Sequence, residues 1–186
     1  MKEFKELVNK NNGRISTKAL KGYKMIGKGN DGSVYQVSTD KCVKIFVNEK
    51  TQKEELFAYQ MGKSSSVIPK LFEYGTNYIV IEYVNGTSLK EFLKKEKKIS
   101  EALVIKILFM LDEFKRISFT RRDTQIRHIL LNDHGEIKVI DLKRAFNRKT
   151  EVPSRLLKDL GKLGFLETFL KHVKKLRPSL YKKWKE

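Results

Sequence analysis

The stretch from Arg121 to Leu142, RRDTQIRHILLNDHGEIKVIDL, holds two apolar runs joined by an Asn-Asp-His-Gly turn. Two such runs on either side of a glycine turn are typical of a β-hairpin. An aspartate stands near each end, Asp123 before the first run and Asp141 after the second, eighteen positions apart. The stretch is therefore either an ordinary hairpin with charged ends or a hairpin that places two carboxylates on one substrate.

Helical periodicity flanks this stretch on both sides. Ser88-Leu-Lys-Glu91 has the form of a capping box that opens a helix. From Ser100 onward apolar residues recur at helical spacing, which predicts the core helix of this part of the chain. After the hairpin, the segment from Pro153 to Glu186 predicts two or three amphipathic helices. The apolar residues at helical spacing are Leu103, Val104, Ile107, Leu108, Leu111 and Phe114.

The first part of the chain is rich in strands instead. Residues 23–47 alternate apolar runs with turn signals and predict three antiparallel strands. Residues 67–84 predict two more strands, which turn at Gly75-Thr76-Asn77. A helix is predicted from about Lys50 to Met61, and a short amphipathic lead helix over residues 4–12.

The character of the chain changes once, between Val84 and Gly86, and a hinge is the natural interpretation. The predicted domains are residues 1–84, a small antiparallel sheet with one helix, and residues 85–186, which are mainly helical. The predicted fold class is α+β.

The amino-acid composition indicates the cellular compartment and excludes several classes of protein. The single cysteine, Cys42, rules out a disulfide framework, and no Cys/His cluster has zinc-ligand spacing. The first twelve residues lack the apolar core of a signal peptide. The most apolar helical stretch, ALVIKILFMLDEF, is too short to span a bilayer. We therefore expect a cytoplasmic protein with no transmembrane segment.

The formal net charge of +18 favours anionic partners such as RNA or another nucleic acid, the ribosome, a membrane surface or a nucleotide. The lysines are spread over the chain, and no run of arginines with interleaved aromatic residues marks a base-stacking platform. Anion binding is thus an unspecific prediction.

Three glycines, Gly27, Gly29 and Gly32, lie in the segment IGKGNDGSV. Glycine lets backbone N–H groups approach phosphate oxygens, so the segment is either a nucleotide-binding loop or simply a turn. A Rossmann or Walker loop runs from a strand into a helix. This segment runs into the strand SVYQV, which excludes both of those motifs.

Lys44 lies in the predicted strand KCVKIF, both of whose faces are otherwise apolar. It is either a solvated charge on an edge strand or an ammonium that needs a counter-anion, which a carboxylate or a ligand phosphate would supply. Glu54 and Glu55, on the helix that follows, are the nearest carboxylates in sequence.

Taken in order, these motifs resemble the protein kinase-like superfamily. They are the glycine segment 27–34, Val43-Lys44, a helix glutamate, IVIEYVNGTSL, Arg122-Asp123 and Asp141-Leu142. Typical protein kinases have the same eighteen-residue interval between the two aspartates. The resemblance covers about residues 24–165 and implies a two-lobed fold, with a small antiparallel-sheet N-lobe and a reduced, mainly helical C-lobe. The truncated form is similar to small bacterial and archaeal kinases and kinase-like proteins.

The resemblance implies a phosphotransferase of the serine/threonine protein kinase-like type, which uses ATP with Mg²⁺ or Mn²⁺ and an unidentified hydroxyl acceptor. Lys44 would hold the α- and β-phosphates, oriented by Glu55 in preference to Glu54. Asp141 would bind the metal, and Asp123 would accept or orient the acceptor hydroxyl.

Further positions receive roles from the same resemblance. Arg122 would be structural, and Asp159 would tie down the catalytic loop, although a solvated helix carboxylate is an equal alternative for Asp159. The implied ATP-binding residues are Ile26, Gly27, Gly29, Gly32, Val34, Cys42, Lys44, Ile81, Glu82, Val84 and Leu130.

Several positions depart from the kinase pattern. His128 stands where kinases place a metal-binding asparagine, and a neutral imidazole is a poor ligand for a hard cation. Gln125 replaces a lysine that meets the γ-phosphate, with Arg127 close enough in sequence to substitute. Arg121 replaces the usual histidine, and Lys143 replaces the glycine that follows Asp-Phe.

The segment after Asp141 is also short. Only seventeen residues separate Asp141 from Asp159, and no Ala-Pro-Glu motif is present, which leaves little room to grip an extended peptide. Three hypotheses follow. The protein is an ATP-dependent phosphotransferase, a pseudokinase that acts as a nucleotide-binding interaction module, or an RNA- or ribosome-associated basic protein on a kinase-like fold.

Overall fold

The structure is a computed structural model that describes Glu6 and residues 14–185. The predicted lead helix over residues 4–12 lies outside the described residues apart from Glu6. The described chain forms two compact units. The first comprises the residues up to Ser64 together with Ile68–Val84, and the second comprises Ser65–Val67 and the residues from Asn85 onward.

The first unit is built on a five-stranded antiparallel sheet in the order β1-β2-β3-β5-β4. Helix α1 (Glu49–Met61) follows β3, and the side chain of Asn48 caps it by accepting hydrogen bonds from the first-turn N–H groups. Short 3₁₀ turns occur at Thr17–Leu20 and Gly62–Ser64. The strands are β1 (Lys24–Gly29), β2 (Gly32–Gln36), β3 (Lys41–Phe46), β4 (Leu71–Tyr74) and β5 (Tyr78–Glu82).

The centre of this sheet is buried on both faces. Val43 of β3 lies directly opposite Val80 of β5, and both side chains are fully buried. Burial of each valine stabilises the fold by roughly 1.5–3 kcal/mol. Asn77 joins the segment before β1 to this core, because its amide bonds both the N–H and the carbonyl of Ile15. The core cluster consists of Ile15, Leu20, Tyr35, Val37, Val43, Ile45, Tyr78 and Val80.

The second unit combines helices with a three-stranded sheet in the order β6-β7-β8. Its strands are β6 (Gly86–Ser88), β7 (Ile129–Asn132) and β8 (Ile137–Val139). A short 3₁₀ turn occupies Ile126–His128. The helices are α2 (Leu89–Glu96), α3 (Glu101–Arg116), α4 (Ser154–Lys162), α5 (Leu166–Leu176) and α6 (Pro178–Lys185).

Local signals account for where α2 and α3 begin. The hydroxyls of Ser88 and Ser100 accept hydrogen bonds from the third residue of each helix, Glu91 and Leu103. Five of the six predicted core residues of α3 are buried, whereas Leu111 is half-buried and Met110 is fully buried in its place. Met110 follows Ile107 by three positions and precedes Phe114 by four, so it lies on their face of the helix.

The hairpin predicted for residues 128–140 is present as β7 and β8. Strand β6, which pairs with β7, is an addition to the prediction. Gly86 permits this pairing, because a Cβ at that position would lie only 2.1 Å from the carbonyl oxygen of Leu131. A three-residue strand has too little periodicity to be recognised from sequence.

Residues 65–67 belong with the second unit, although they fall within the predicted first domain. The hydroxyl of Ser65 donates to Oε2 of the buried Glu113 at 2.6 Å. The N–H of Val139 donates to the carbonyl of Val67 at 2.8 Å. Arg116 also bonds Glu113 and is the main cause that lowers the pKa of this carboxyl. Neither attachment can be recognised from the sequence, because Ser65 and Val67 lie far along the chain from Glu113 and Val139.

The α+β class and the five-stranded antiparallel sheet are as predicted.

Candidate functional site

A buried ion pair joins β3 to α1 in the first unit. The Nζ atom of Lys44 lies 2.6 Å from Oε2 of Glu55, and the two side chains are only 13% and 1% exposed. Glu54, its neighbour on α1, is exposed. The pair forms over an interval of only eleven residues, because α1 starts three residues after β3 ends. Lys44 is thus held by a carboxylate within the protein.

One face of the sheet gathers several of the predicted ATP-binding residues. Lys44 pairs with Val34 across β2 and β3, and Cys42 pairs with Ile81 across β3 and β5. Directly paired residues project from the same face, and so do residues two apart on one strand. Val34, Cys42, Lys44 and Ile81 therefore share a face. Burial raises the pKa of the Cys42 thiol to about 12, so it is uncharged at neutral pH.

The remaining predicted ATP-binding residues lie at strand ends and irregularities. Ile26 is exposed at the irregularity between Met25 and Gly27 in β1. Glu82 ends β5, where its N–H donates to Lys70 and its carbonyl accepts a weak contact from the Cys42 thiol. Val84 follows two residues later. Leu130 is a half-buried residue of β7 in the second unit.

The glycine segment is a tight hairpin between β1 and β2, with Asn30 and Asp31 at its turn. Gly32 has φ +154°, and a Cβ there would lie 1.8 Å from the carbonyl oxygen of Ile45. Gly29 has open space around its Cα. Gly32 is thus required for the pairing of β2 with β3, whereas the open space at Gly29 leaves room for a ligand to approach the backbone.

This difference predicts opposite effects for two alanine substitutions. Gly32→Ala should lower the free energy of unfolding by at least about 2 kcal/mol, because both the φ angle and the close approach forbid a side chain. Gly29→Ala should change it by less than about 1 kcal/mol but reduce the rise in melting temperature caused by ATP. Urea unfolding and thermal shift measure these effects. Equal loss of stability in both variants would contradict the assignment.

Asp123 is 6% exposed in the second unit and caps α4 from a distant segment of the chain. Its carboxylate accepts hydrogen bonds from the N–H groups of Arg155 and Leu156 at 3.1–3.3 Å. Burial raises the pKa of the Asp123 carboxyl, although these two N–H groups and the charges of Arg121 and Arg155 act in the opposite direction. A carboxylate with a raised pKa is a better proton acceptor near neutral pH.

Asp141 follows β8 with φ +61°, a left-handed conformation that few residues without glycine's freedom adopt. Such strain of roughly 1–3 kcal/mol is typical of functional positions. The Nε2 atom of His128 lies 3.5 Å from Oδ2 of Asp141. Arg127 donates to the same imidazole nitrogen at 3.1 Å and is itself exposed.

Asp123 and Asp141 line the same cavity, of about 130 Å³, within the second unit. Gln125, His128 and Lys143, the three main departures from the kinase pattern, line it too. The hairpin therefore brings both carboxylates to one cavity. The three residues on which the pseudokinase hypothesis depends line the same cavity.

The donor set suits one magnesium ion that also binds phosphate. Mg²⁺ is usually bound through one or two carboxylates together with substrate phosphates and water, and Asp141 can supply such a carboxylate. His128 is a poor second ligand for such a cation. Within residues 14–185, no group of three or more His, Cys, Asp or Glu side chains is placed to hold a metal.

The two predicted structural residues lie beside the catalytic-loop segment. Asp159 on α4 accepts a hydrogen bond from the N–H of Ile126 at 3.3 Å. The N–H of Arg122 makes a long contact of 3.4 Å with the carbonyl of Thr150. Sequence reasoning missed two further cations of the cavity, Arg144 and Arg155, which lie in the short segment after Asp141 and at the start of α4. The concentration of lysine and arginine residues after Asp141 was the sequence signal that could have identified these two cations.

Comparison with known proteins identifies the family. A profile of the lipopolysaccharide kinase (Kdo/WaaP) family matches residues 70–175, more than half of the chain. The chain belongs to this family. The predicted relationship to protein kinase-like proteins is confirmed, since a Kdo/WaaP family member is a kinase-like protein.

Curated relatives of this Kdo/WaaP family member are protein kinases by name. It is 27% identical to the putative serine/threonine-protein kinase YrzF of Bacillus subtilis over 68% of this chain and 61% of the relative. It is 28% identical to the mitogen-activated protein kinase kinase SIPKK of Nicotiana tabacum over 75% and 44%. It is 26% identical to the probable serine/threonine-protein kinase CPE1738 of Clostridium perfringens over 62% and 20%. The chain spans less than two thirds of the length of each.

Other predictions concerned partners and the membrane. The comparisons give no support to an RNA or ribosome partner for the Kdo/WaaP family member. None of the helices in the described ranges combines the length and the apolar character that a bilayer span requires.

Proposed function

We propose that this Kdo/WaaP family member transfers the γ-phosphate of ATP to a hydroxyl acceptor. The observation that carries the proposal is that Asp123 and Asp141, eighteen positions apart, line one cavity. Phosphoryl transfer is catalysed mainly by positioning and by charge stabilisation, and it uses one carboxylate for the metal and another for the acceptor. The family match supports the same conclusion.

The first unit would bind the nucleotide. Lys44 would donate to the α- and β-phosphates, and Glu55 would keep its ammonium in place through the 2.6 Å contact. Val34, Cys42 and Ile81 would supply the apolar surface for adenine, with the backbone of Glu82 and the backbone of Val84 for its polar edge.

The second unit would carry the metal and the acceptor. Asp141 would hold Mg²⁺ or Mn²⁺, with His128 beside it; when bound, the metal would neutralise phosphate charge. Asp123 would orient the acceptor hydroxyl and receive its proton on a carboxylate oxygen. The N–H groups of α4 would fix the orientation of that carboxylate throughout.

The acceptor would be an alcohol. Two of the relatives are named serine/threonine-protein kinases, and the family is named for lipopolysaccharide, a sugar-containing substrate. Both names describe transfer to a hydroxyl group. We propose a serine or threonine hydroxyl first, with a sugar hydroxyl as the other member of the same chemical class.

The test is label transfer from γ-labelled ATP with Mg²⁺ or Mn²⁺, with and without cell lysate. Asp123→Asn should reduce the rate by at least about 100-fold, because general-base contributions are of that size. Wild-type activity should fall at acid pH with a midpoint above 3.8, the ordinary aspartate value, because burial raises the pKa of Asp123. A pH–rate profile measures the midpoint.

Stability provides the control for this variant. Because the folded pKa of Asp123 is raised, wild type loses stability relative to Asp123→Asn as pH rises through that pKa. The asparagine oxygen still accepts hydrogen bonds from α4, so the variant should remain folded. Equal label transfer by Asp123→Asn and wild type would refute the assigned role.

A pseudokinase is the second candidate, and the contact between His128 and Asp141 favours it. An imidazole beside the metal-binding carboxylate competes with the metal for that oxygen. Gln125 and Lys143 in the same cavity add to this hypothesis. The two candidates differ in one result: the pseudokinase is stabilised by ATP in a thermal shift but transfers no label to any acceptor.

A further inference from the structure

Arg121 is a buried cation in the cavity of the second unit. Its side chain lines the cavity, and the residue is only 4% exposed. Its Nε and Nη2 atoms are buried, and neither has a hydrogen-bond partner among the described residues. Arginine remains charged in proteins and presents a planar fork of donors that matches carboxylate and phosphate oxygens. A buried fork with open donors therefore needs an anion.

The surroundings of Arg121 increase this need. Four other cationic side chains line the same cavity: Arg127, Lys143, Arg144 and Arg155. Burial is the main cause that lowers the pKa of Arg121, and the charge of Arg155 acts in the same direction. Positive charge thus surrounds Arg121, whose own side chain is shielded from solvent.

Neither carboxylate of the cavity accepts a hydrogen bond from Nε or Nη2 of Arg121. Asp123 offers its oxygens to the N–H groups of Arg155 and Leu156. It affects Arg121 through charge alone, without a hydrogen bond. Asp141 contacts His128. The Nε and Nη2 donors of Arg121 thus stay available to a bound anion.

We propose that this cavity contains an oxyanion subsite centred on Arg121, and that the acceptor carries an anionic group, a phosphate or a carboxylate, which Arg121 holds. The acceptor assignment rests on the proposed function, whereas the oxyanion subsite does not. An anionic group on Arg121 would lie in the same cavity as Asp123 and would position the acceptor hydroxyl against that carboxylate. The ligand class is an alcohol that carries an anionic group, and small anionic alcohols serve as its probes.

The first experiment measures the melting temperature of the whole chain with inorganic phosphate, at an ionic strength kept constant with sodium chloride. Wild type should show a saturable rise of several degrees, and Arg121→Gln should show little or none. Arg177→Gln removes the same charge at an exposed position, where Arg177 pairs with Asp112, and should behave like wild type. An equal rise in all three proteins, or no rise in wild type, would overturn the subsite.

The phosphate-free melting temperature gives a second measurement. A buried charge without a partner is costly, so Arg121→Gln should melt several degrees above wild type in phosphate-free buffer. A lower melting temperature would show that Arg121 has a structural role that needs no anion, which would overturn the proposal.

Three alcohols separate the two sources of the oxyanion. Glycerol 3-phosphate and glycerate differ from glycerol by a phosphate and a carboxylate, and a thermal shift with each measures which group Arg121 prefers. No shift with either anion beyond that with glycerol would contradict an acceptor that carries an anionic group.

Label transfer separates this inference from the proposed function. At saturating ATP, inorganic phosphate should inhibit transfer in competition with the acceptor. Transfer that phosphate does not inhibit would overturn the acceptor assignment and leave the proposed function standing. Phosphate binding that depends on Arg121, with no transfer to any acceptor, would support the subsite and refute the proposed function.

Discussion

Asp141→Asn should reduce label transfer from ATP by about 1000-fold or more, because it removes the carboxylate that would hold the metal. Stabilisation of phosphate charge by a metal is worth several kcal/mol, which corresponds to a rate effect of this order. The φ angle of +61° makes asparagine the suitable replacement, since it tolerates the left-handed conformation better than most residues. Label transfer at saturating ATP with Mg²⁺ or Mn²⁺ measures the effect.

A matched carboxylate on the same unit controls for charge. Asp112 is half-exposed on α3, where it pairs with Arg177, and Asp112→Asn should transfer label at the wild-type rate. The melting temperature of Asp141→Asn should lie within a few degrees of wild type. Undiminished transfer by a folded Asp141→Asn protein would contradict the metal-binding role.

Lys44→Met should lower the free energy of unfolding by about 3–5 kcal/mol and abolish ATP binding. The stability loss arises because Glu55, 1% exposed, is left as a buried carboxylate without its ammonium partner. The loss of binding would arise because the ammonium proposed to contact the phosphates is removed. Urea unfolding measures the first effect, and a thermal shift with ATP measures the second.

The double variant Lys44→Met/Glu55→Leu separates these two effects. Replacement of a buried ion pair by apolar side chains of similar volume is often neutral, so stability should return to within about 1 kcal/mol of wild type. ATP binding should remain absent. Lys41→Met, on the same strand but paired with the exposed Asp40, should change stability by less than about 1 kcal/mol. ATP binding by the double variant would refute the phosphate role of Lys44.

The fold class was predictable because its signals are local. Strand alternation, turn residues and helical periodicity act over a few neighbours, and they indicated the five-stranded sheet, α1 and the β7–β8 hairpin before any contact was known. The order and spacing of the motifs around Lys44, Asp123 and Asp141 pointed to the kinase-like superfamily in the same way. The family match confirms that relationship.

Other features depended on contacts between distant segments. Spacing alone did not decide between Glu54 and Glu55; packing of α1 against the sheet buries Glu55 beside Lys44. Ser65 belongs to the second unit because Glu113, forty-eight positions away, bonds it. The capping of α4 by Asp123 joins residues about thirty positions apart.

Sequence by itself thus determined the α+β class, the order of the elements and the candidate carboxylates, since periodicity and motif spacing are properties of neighbouring residues. Only the tertiary structure showed that Asp123 and Asp141 share a cavity and that Arg121 is buried there with open donors. Burial and hydrogen-bond satisfaction depend on what surrounds a side chain in space. Chain order does not specify those surroundings.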